Sequence, residues 1–221
     1  MRRNDDSRRL VVHRLGTAAA GVLLLAAGAA SAQAPQAARG LPVAKIAAQT
    51  CAACHGPAGT SAGGQFPNLA GQNEAYLYKQ LGQFKGGAGG KPLRSSEIME
   101  PIARQLDDKQ MRALARFYSR QLPGPGKATD PALVEAGRSV YWKGNPASGL
   151  PACVSCHRPN GEGIVPDFPR IAGQHPEYVA QQLNAWRSGA RGGPGKLMSL
   201  LVPLMTQEEV SAVAQYVAQL K

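Results

Sequence analysis

Two stretches of this chain match one another at a constant offset of 102 residues, and that repeat limits the fold more tightly than any other feature of the 221-residue sequence. Phe66-Pro67-Asn68-Leu69-Ala70-Gly71-Gln72 aligns with Phe168-Pro169-Arg170-Ile171-Ala172-Gly173-Gln174. Tyr76 then falls on Tyr178, Gln80-Leu81 on Gln182-Leu183, and Phe84 on Trp186, while Cys51, Cys54 and His55 land on Cys153, Cys156 and His157. A period so far beyond the roughly 20–50 residues of a solenoid unit means two tandem domains, not an array. Between the copies, residues 123–131 are dense in proline and glycine and read as a linker. The expected division is an N-terminal domain at 33–122 and a C-terminal domain at 132–221.

The first 32 residues stand apart from the repeat. Arg2, Arg3, Arg8, Arg9 and Arg14 precede an apolar stretch from Leu15 to Ala30, and Ala30-Ser31-Ala32 supplies a small-residue cleavage pattern. This is the layout of a cleaved signal peptide, and it places the remainder of the chain in the periplasm. A membrane-spanning anchor is the alternative, but the apolar stretch is short and rich in Ala and Gly. Removing residues 1–32 leaves 20 basic and 12 acidic residues, a net charge of +8. That balance suits acidic protein partners and is compatible with peripheral association with an acidic membrane surface. No dense Lys/Arg run with interleaved aromatics occurs in the body of the chain, so nucleic acid is not expected as a partner.

Helical periodicity recurs in both copies. Apolar spacing predicts helices over 42–50, 74–84 and 107–120 in the first copy, and over 131–141, 177–186 and 206–220 in the second. Met111, Leu114, Ala115 and Tyr118 mark one face of the last helix of copy one, and Val210, Val213, Tyr216 and Val217 mark that of copy two. Thr206 followed by Glu209 is a capping-box pattern. Nothing alternates with the period of a strand, so the expected fold is all-α with long loops. Aromatics make up only 5% of the chain, against 26 glycines and 17 prolines. Domains of about 90 residues with so thin a core need a staple or a cofactor.

The four cysteines all sit in two copies of one motif, Cys51-Ala52-Ala53-Cys54-His55 and Cys153-Val154-Ser155-Cys156-His157. The spacing matches covalent haem attachment: two thiols add to the two vinyl groups, and the adjacent His ligates the iron. Zinc binding would leave the His after each pair unexplained, and a redox dithiol would sit beside a βαβ pattern that is absent here. Two covalently bound haem c groups are the expected cofactors. For the sixth iron ligand the candidates are Met99, Met111, Met198 and Met205. Met99 precedes Leu106 by seven residues as Met198 precedes Met205, and the helices that follow align at an offset of 99. Met111 falls opposite Val210, and Met205 opposite Leu106, on apolar helical faces where a methionine is core. The expected axial pairs are therefore His55 with Met99 and His157 with Met198. His175 has Asn73 as its counterpart and reads as a surface or loop residue. A ligating His usually donates its other ring N–H to a carbonyl, and Pro67 and Pro169 are placed in sequence to supply one.

Two CxxCH motifs, each followed by FPxxAGQ and later by a methionine, resemble the cytochrome c4 family of dihaem periplasmic electron carriers. The resemblance runs from about Cys51 to the end and is close around Pro151-Ala152-Cys153, Pro159-Asn160-Gly161-Glu162-Gly163 and Ala172-Gly173-Gln174-His175. It implies two tandem class I cytochrome c domains related by pseudo-twofold symmetry, His/Met ligation of both irons, and haem propionate edges near the interface. It also implies a quinol:cytochrome c reductase as electron donor and a haem-copper oxidase as acceptor. Copy one departs from the pattern: the Gly and aromatic of the first helix stand in copy two as Gly137 and Tyr141, whereas only Val43-Ala44-Lys45-Ile46-Ala47 precedes Cys51.

Iron with His and Met on both faces has no open position, so the expected function is electron transfer and not catalysis. Lys79, Lys85, Lys91, Arg187, Arg191 and Lys196 flank the expected haem loops and would form a ring that steers docking onto an acidic partner. One rival is a cytochrome subunit dedicated to a specific dehydrogenase. The other is a dihaem peroxidase, which needs one iron able to open a coordination position.

Overall fold

The computed structural model describes residues 43–87, 90–192 and 197–221. The expected signal peptide, residues 1–32, lies outside the described residues. The described part of the N-terminal half begins with α1 (Val43–Ile46), which passes through a π-helical turn (Ala47–Cys51) into α2 (Ala52–His55). It continues with α3 (Glu74–Lys85), α4 (Met99–Arg104) and α5 (Asp108–Ser119). The C-terminal half runs from a 3-10 turn (Pro131–Leu133) into α6 (Val134–Lys143), followed by α7 (Val154–His157), α8 (Pro176–Arg187), α9 (Leu197–Leu201) and α10 (Gln207–Gln219). No strand occurs among the described residues; three isolated antiparallel bridges are the only β pairings.

Local chemistry sets the helix ends. Asn73 caps α3 by accepting the Tyr76 N–H, and the helix stops at Gly86, whose φ of +72° suits a residue without a Cβ. Asp107 and Gln110 form a reciprocal capping box on α5, and Thr206 and Glu209 form the expected one on α10. Pro176 opens α8 at its first turn, where a missing N–H costs nothing.

Each half buries its own core. In the first, Leu77 of α3 packs with Leu106, Met111, Leu114, Ala115 and Tyr118, joined by Val43 and Ala47. In the second, Val210, Val213 and Val217 of α10 meet Val140 and Tyr141 of α6, Leu183 of α8, and Met205. The α6–α10 crossing is close because Gly137 lies against the α10 backbone: a Cβ there would stand 2.0 Å from the Ala212 carbonyl oxygen. The segment 123–131 is itself packed. A Cβ on Gly124 would meet the Thr60 side chain, and one on Gly126 the backbone of Gly173 and Ala218.

The halves face one another through reciprocal bonds. Gln72 donates to the Arg170 carbonyl and accepts the Arg170 N–H; Gln174 does the same with Asn68. His175 is not a plain surface residue, because its Nε2 lies 3.1 Å from the Ser61 carbonyl of the other half.

Candidate haem sites

The CxxCH spacing produces the same local object twice. Cys51 and Cys153 stand three residues before Cys54 and Cys156, about one helical turn, so each pair of thiols shares one helix face. None of the four is in a disulfide. Burial pushes the Cys51 thiol above its ordinary value and the Cys153 thiol up to about 11, so both are held as neutral thiols.

The motif histidines are buried and oriented alike. His55 Nδ1–H donates to the Pro67 carbonyl at 2.9 Å, and His157 Nδ1–H donates to the Pro169 carbonyl at 3.0 Å. Phe66 and Phe168 each lie edge-on to the imidazole, with ring centroids 6.3 Å apart in both halves. Burial lowers the pKa of both rings, partly offset by the carbonyl bond, so each imidazole is neutral with Nε2 left for a metal. The residue after each His has positive φ: Gly56 at +76° adopts this freely, but Arg158 at +64° does not.

A cavity of about 740 Å³ is shared by the two halves, and all four cysteines and both histidines line it. Met99, at the start of α4, and Met198, in α9, are half-buried on its wall. Met205 also touches it, while Met111 is packed away in the N-terminal core. Leu77, Leu81, Leu183 and Val213 give the cavity apolar walls. Paired thiols and a neutral imidazole fixed by a carbonyl, on one apolar cavity, are the groups that covalent haem attachment uses.

Two features escaped the sequence reading. A tyrosine stands beside the first cysteine of each motif, but from different helices: Tyr118 of α5 beside Cys51, and Tyr141 of α6 near Cys153. Arg191, expected on an exposed docking ring, is only 4% exposed, and its partner Arg94 only 6%. A basic residue near a loop carries no sequence mark of burial, and Arg94 and Arg191 do not align at either repeat offset.

The family model for cytochrome c matches residues 41–119 and again 134–221. Cytochrome c4 of Azotobacter vinelandii is 42% identical over 177 residues, covering 77% of this chain and 84% of the relative. A thiosulfate dehydrogenase electron acceptor of Stutzerimonas stutzeri is 41% identical over 178 residues, covering 78% and 79%. The crystal structure of reduced recombinant cytochrome c4 from Pseudomonas stutzeri superposes with a TM-score of 0.75 at 34% identity, covering 80% of this chain and 97% of that one. With two CxxCH motifs on one cavity and two matches to one family model, the chain belongs to the cytochrome c family, as a dihaem cytochrome c4 with two covalently bound haem c groups.

Proposed function

We propose that the chain is a periplasmic one-electron carrier in which both irons are closed, by His55 with Met99 and by His157 with Met198. The observation that carries this is the matched pair of donor sets on one apolar cavity, each with a neutral His and a half-buried Met. The haem, when bound, supplies one-electron exchange at its iron, and methionine ligation favours a raised potential. Cys51, Cys54, Cys153 and Cys156 hold the two groups, and the carbonyls of Pro67 and Pro169 fix the histidines. The apolar walls keep water from the metal. In this reading residues 33–122 and 132–221 are the two domains, residues 1–32 direct export, and the protein is not an enzyme.

The donor in this proposal is a quinol:cytochrome c reductase and the acceptor a haem-copper oxidase. Lys79, Lys91 and Arg187 are exposed and remain as the steering charges; Lys85 is half-buried and bonds the Leu106 carbonyl, and Lys196 lies outside the described residues. A second reading has a specific support: the Stutzerimonas relative is named as the electron acceptor of a thiosulfate dehydrogenase. The two separate kinetically. Stopped-flow reduction of the oxidised protein by the reductase with quinol, outpacing reduction by thiosulfate with its dehydrogenase, supports the respiratory assignment; the reverse order supports the dedicated acceptor. In either case the rate should fall with ionic strength if charge steers docking.

A further inference from the structure

Arg94 and Arg191 meet at the centre of the interface as two buried cations. Their backbones form an antiparallel bridge between the halves, flanked by Ser95 N–H to the Ala190 carbonyl at 2.9 Å and Gly192 N–H to the Leu93 carbonyl at 3.0 Å. The Arg94 guanidinium donates to Gln80 Oε1 at 2.7 Å, to the Tyr178 hydroxyl at 2.7 Å and to Gln182 Oε1 at 2.6 Å, and stacks on Phe84. Arg191 mirrors it, donating to Gln182 Oε1 at 3.0 Å, the Tyr76 hydroxyl at 2.5 Å and Gln80 Oε1 at 3.1 Å, over the face of Trp186. None of these partners is a carboxylate; burial raises the Tyr178 phenol, but the two guanidiniums outweigh it and draw its pKa below the ordinary value. Among the described residues the five ion pairs all lie elsewhere, and no carboxylate comes within 4 Å of either guanidinium. Burial draws the Arg191 guanidinium below its usual pKa, with the positive Arg94 acting in the same direction.

Two like charges removed from water without an anion are strongly unfavourable, so a buried arginine pair implies an acidic group supplied from outside the polypeptide. Both arginines line the cavity that carries the CxxCH motifs. Each haem brings two propionate carboxylates, and Glu97 and Asp167, the acidic side chains on the cavity wall, are exposed. We propose that Arg94 and Arg191 are the counter-charges of the haem propionates, and that each is shared between the two redox centres because side chains of both halves hold it. They are positioning residues: they compensate the acidic edges, and their charge disfavours the ferric state at both irons. The inference rests on both haems being bound as proposed above.

The test is a spectroelectrochemical titration of the holoprotein in neutral buffer. Arg94→Gln should lower the midpoint potentials of both haems, while Arg94→Lys, which keeps the charge, should stay near the wild type. Haem content and thermal melting of the same samples report whether the fold is intact. If Arg94→Gln does not mature, Gln80→Glu keeps the side-chain shape and places a carboxylate beside both guanidiniums; it too should lower both potentials. Unchanged potentials, a shift confined to one haem, or an equal shift in the lysine variant overturns the proposal. None of these results bears on the axial ligands, whose failure would show instead as carbon monoxide binding.

Discussion

The side-chain amide of Gln72 satisfies both backbone groups of Arg170, donating to its carbonyl at 2.7 Å and accepting its N–H at 2.9 Å. Gln174 treats Asn68 in the same way, at 3.0 and 2.8 Å. The glutamine that ends each FPxxAGQ segment therefore reads the residue after the proline in the other copy. That proline is also the one whose carbonyl orients the motif histidine. One short segment thus orients the motif histidine of its own half and docks against the other half.

Gln72→Ala removes both partners of the Arg170 backbone at a buried position. Unmet backbone groups of this kind cost about 1–3 kcal/mol. The holoprotein should melt at a lower temperature, with its haem content unchanged. Gln72→Glu, which turns a carboxylate oxygen toward the Arg170 carbonyl at a buried position, should be at least as destabilising.

Met99 and Met111 are predicted to behave differently. Met99→Ala should let the reduced protein bind carbon monoxide at one haem of the two, seen as a partial change in the visible spectrum. Met111 is 7% exposed in the N-terminal core. Met111→Leu conserves volume, so it should leave the spectrum alone and cost under about 1.5 kcal/mol in thermal unfolding.

What could be read beforehand was whatever local spacing encodes. The CxxCH motifs, the capping box of Thr206 and Glu209, and the long helices α3, α5, α8 and α10 all stand within a residue or so of expectation. What could not be read depends on the fold bringing distant residues together. Arg94 lies ten residues after Phe84 and Arg191 five after Trp186, so the loops differ in length and the pair emerges only in space. The same is true of Tyr118 and Tyr141, which approach equivalent cysteines from non-equivalent helices. The π-helical turn at Ala47–Cys51 has no sequence signature, and the His175 contact with Ser61 crosses the interface.

Gly137→Ala should destabilise the C-terminal half by about 1–3 kcal/mol, the usual range for overpacking. The added methyl would collide with the Ala212 backbone of α10, which has no flexible side chain to move aside. Thermal unfolding of the variant should show the loss.

Arg158→Gly should act in the opposite direction. Its φ of +64° and ψ of +165° place an ordinary residue where glycine alone is at ease, a strain of about 1–3 kcal/mol. Glycine's greater freedom in the unfolded chain offsets about 0.5–1 kcal/mol of that. The exposed pair with Glu162 that is lost contributes little. A net rise in melting temperature is the expected outcome.

The most direct test of the central claim is the visible spectrum of the fully reduced holoprotein before and after carbon monoxide is added. Two irons closed by His55 with Met99 and by His157 with Met198 predict no change. A shift accounting for one haem or both would show a labile sixth position, and would contradict the account of this chain as a pure electron carrier.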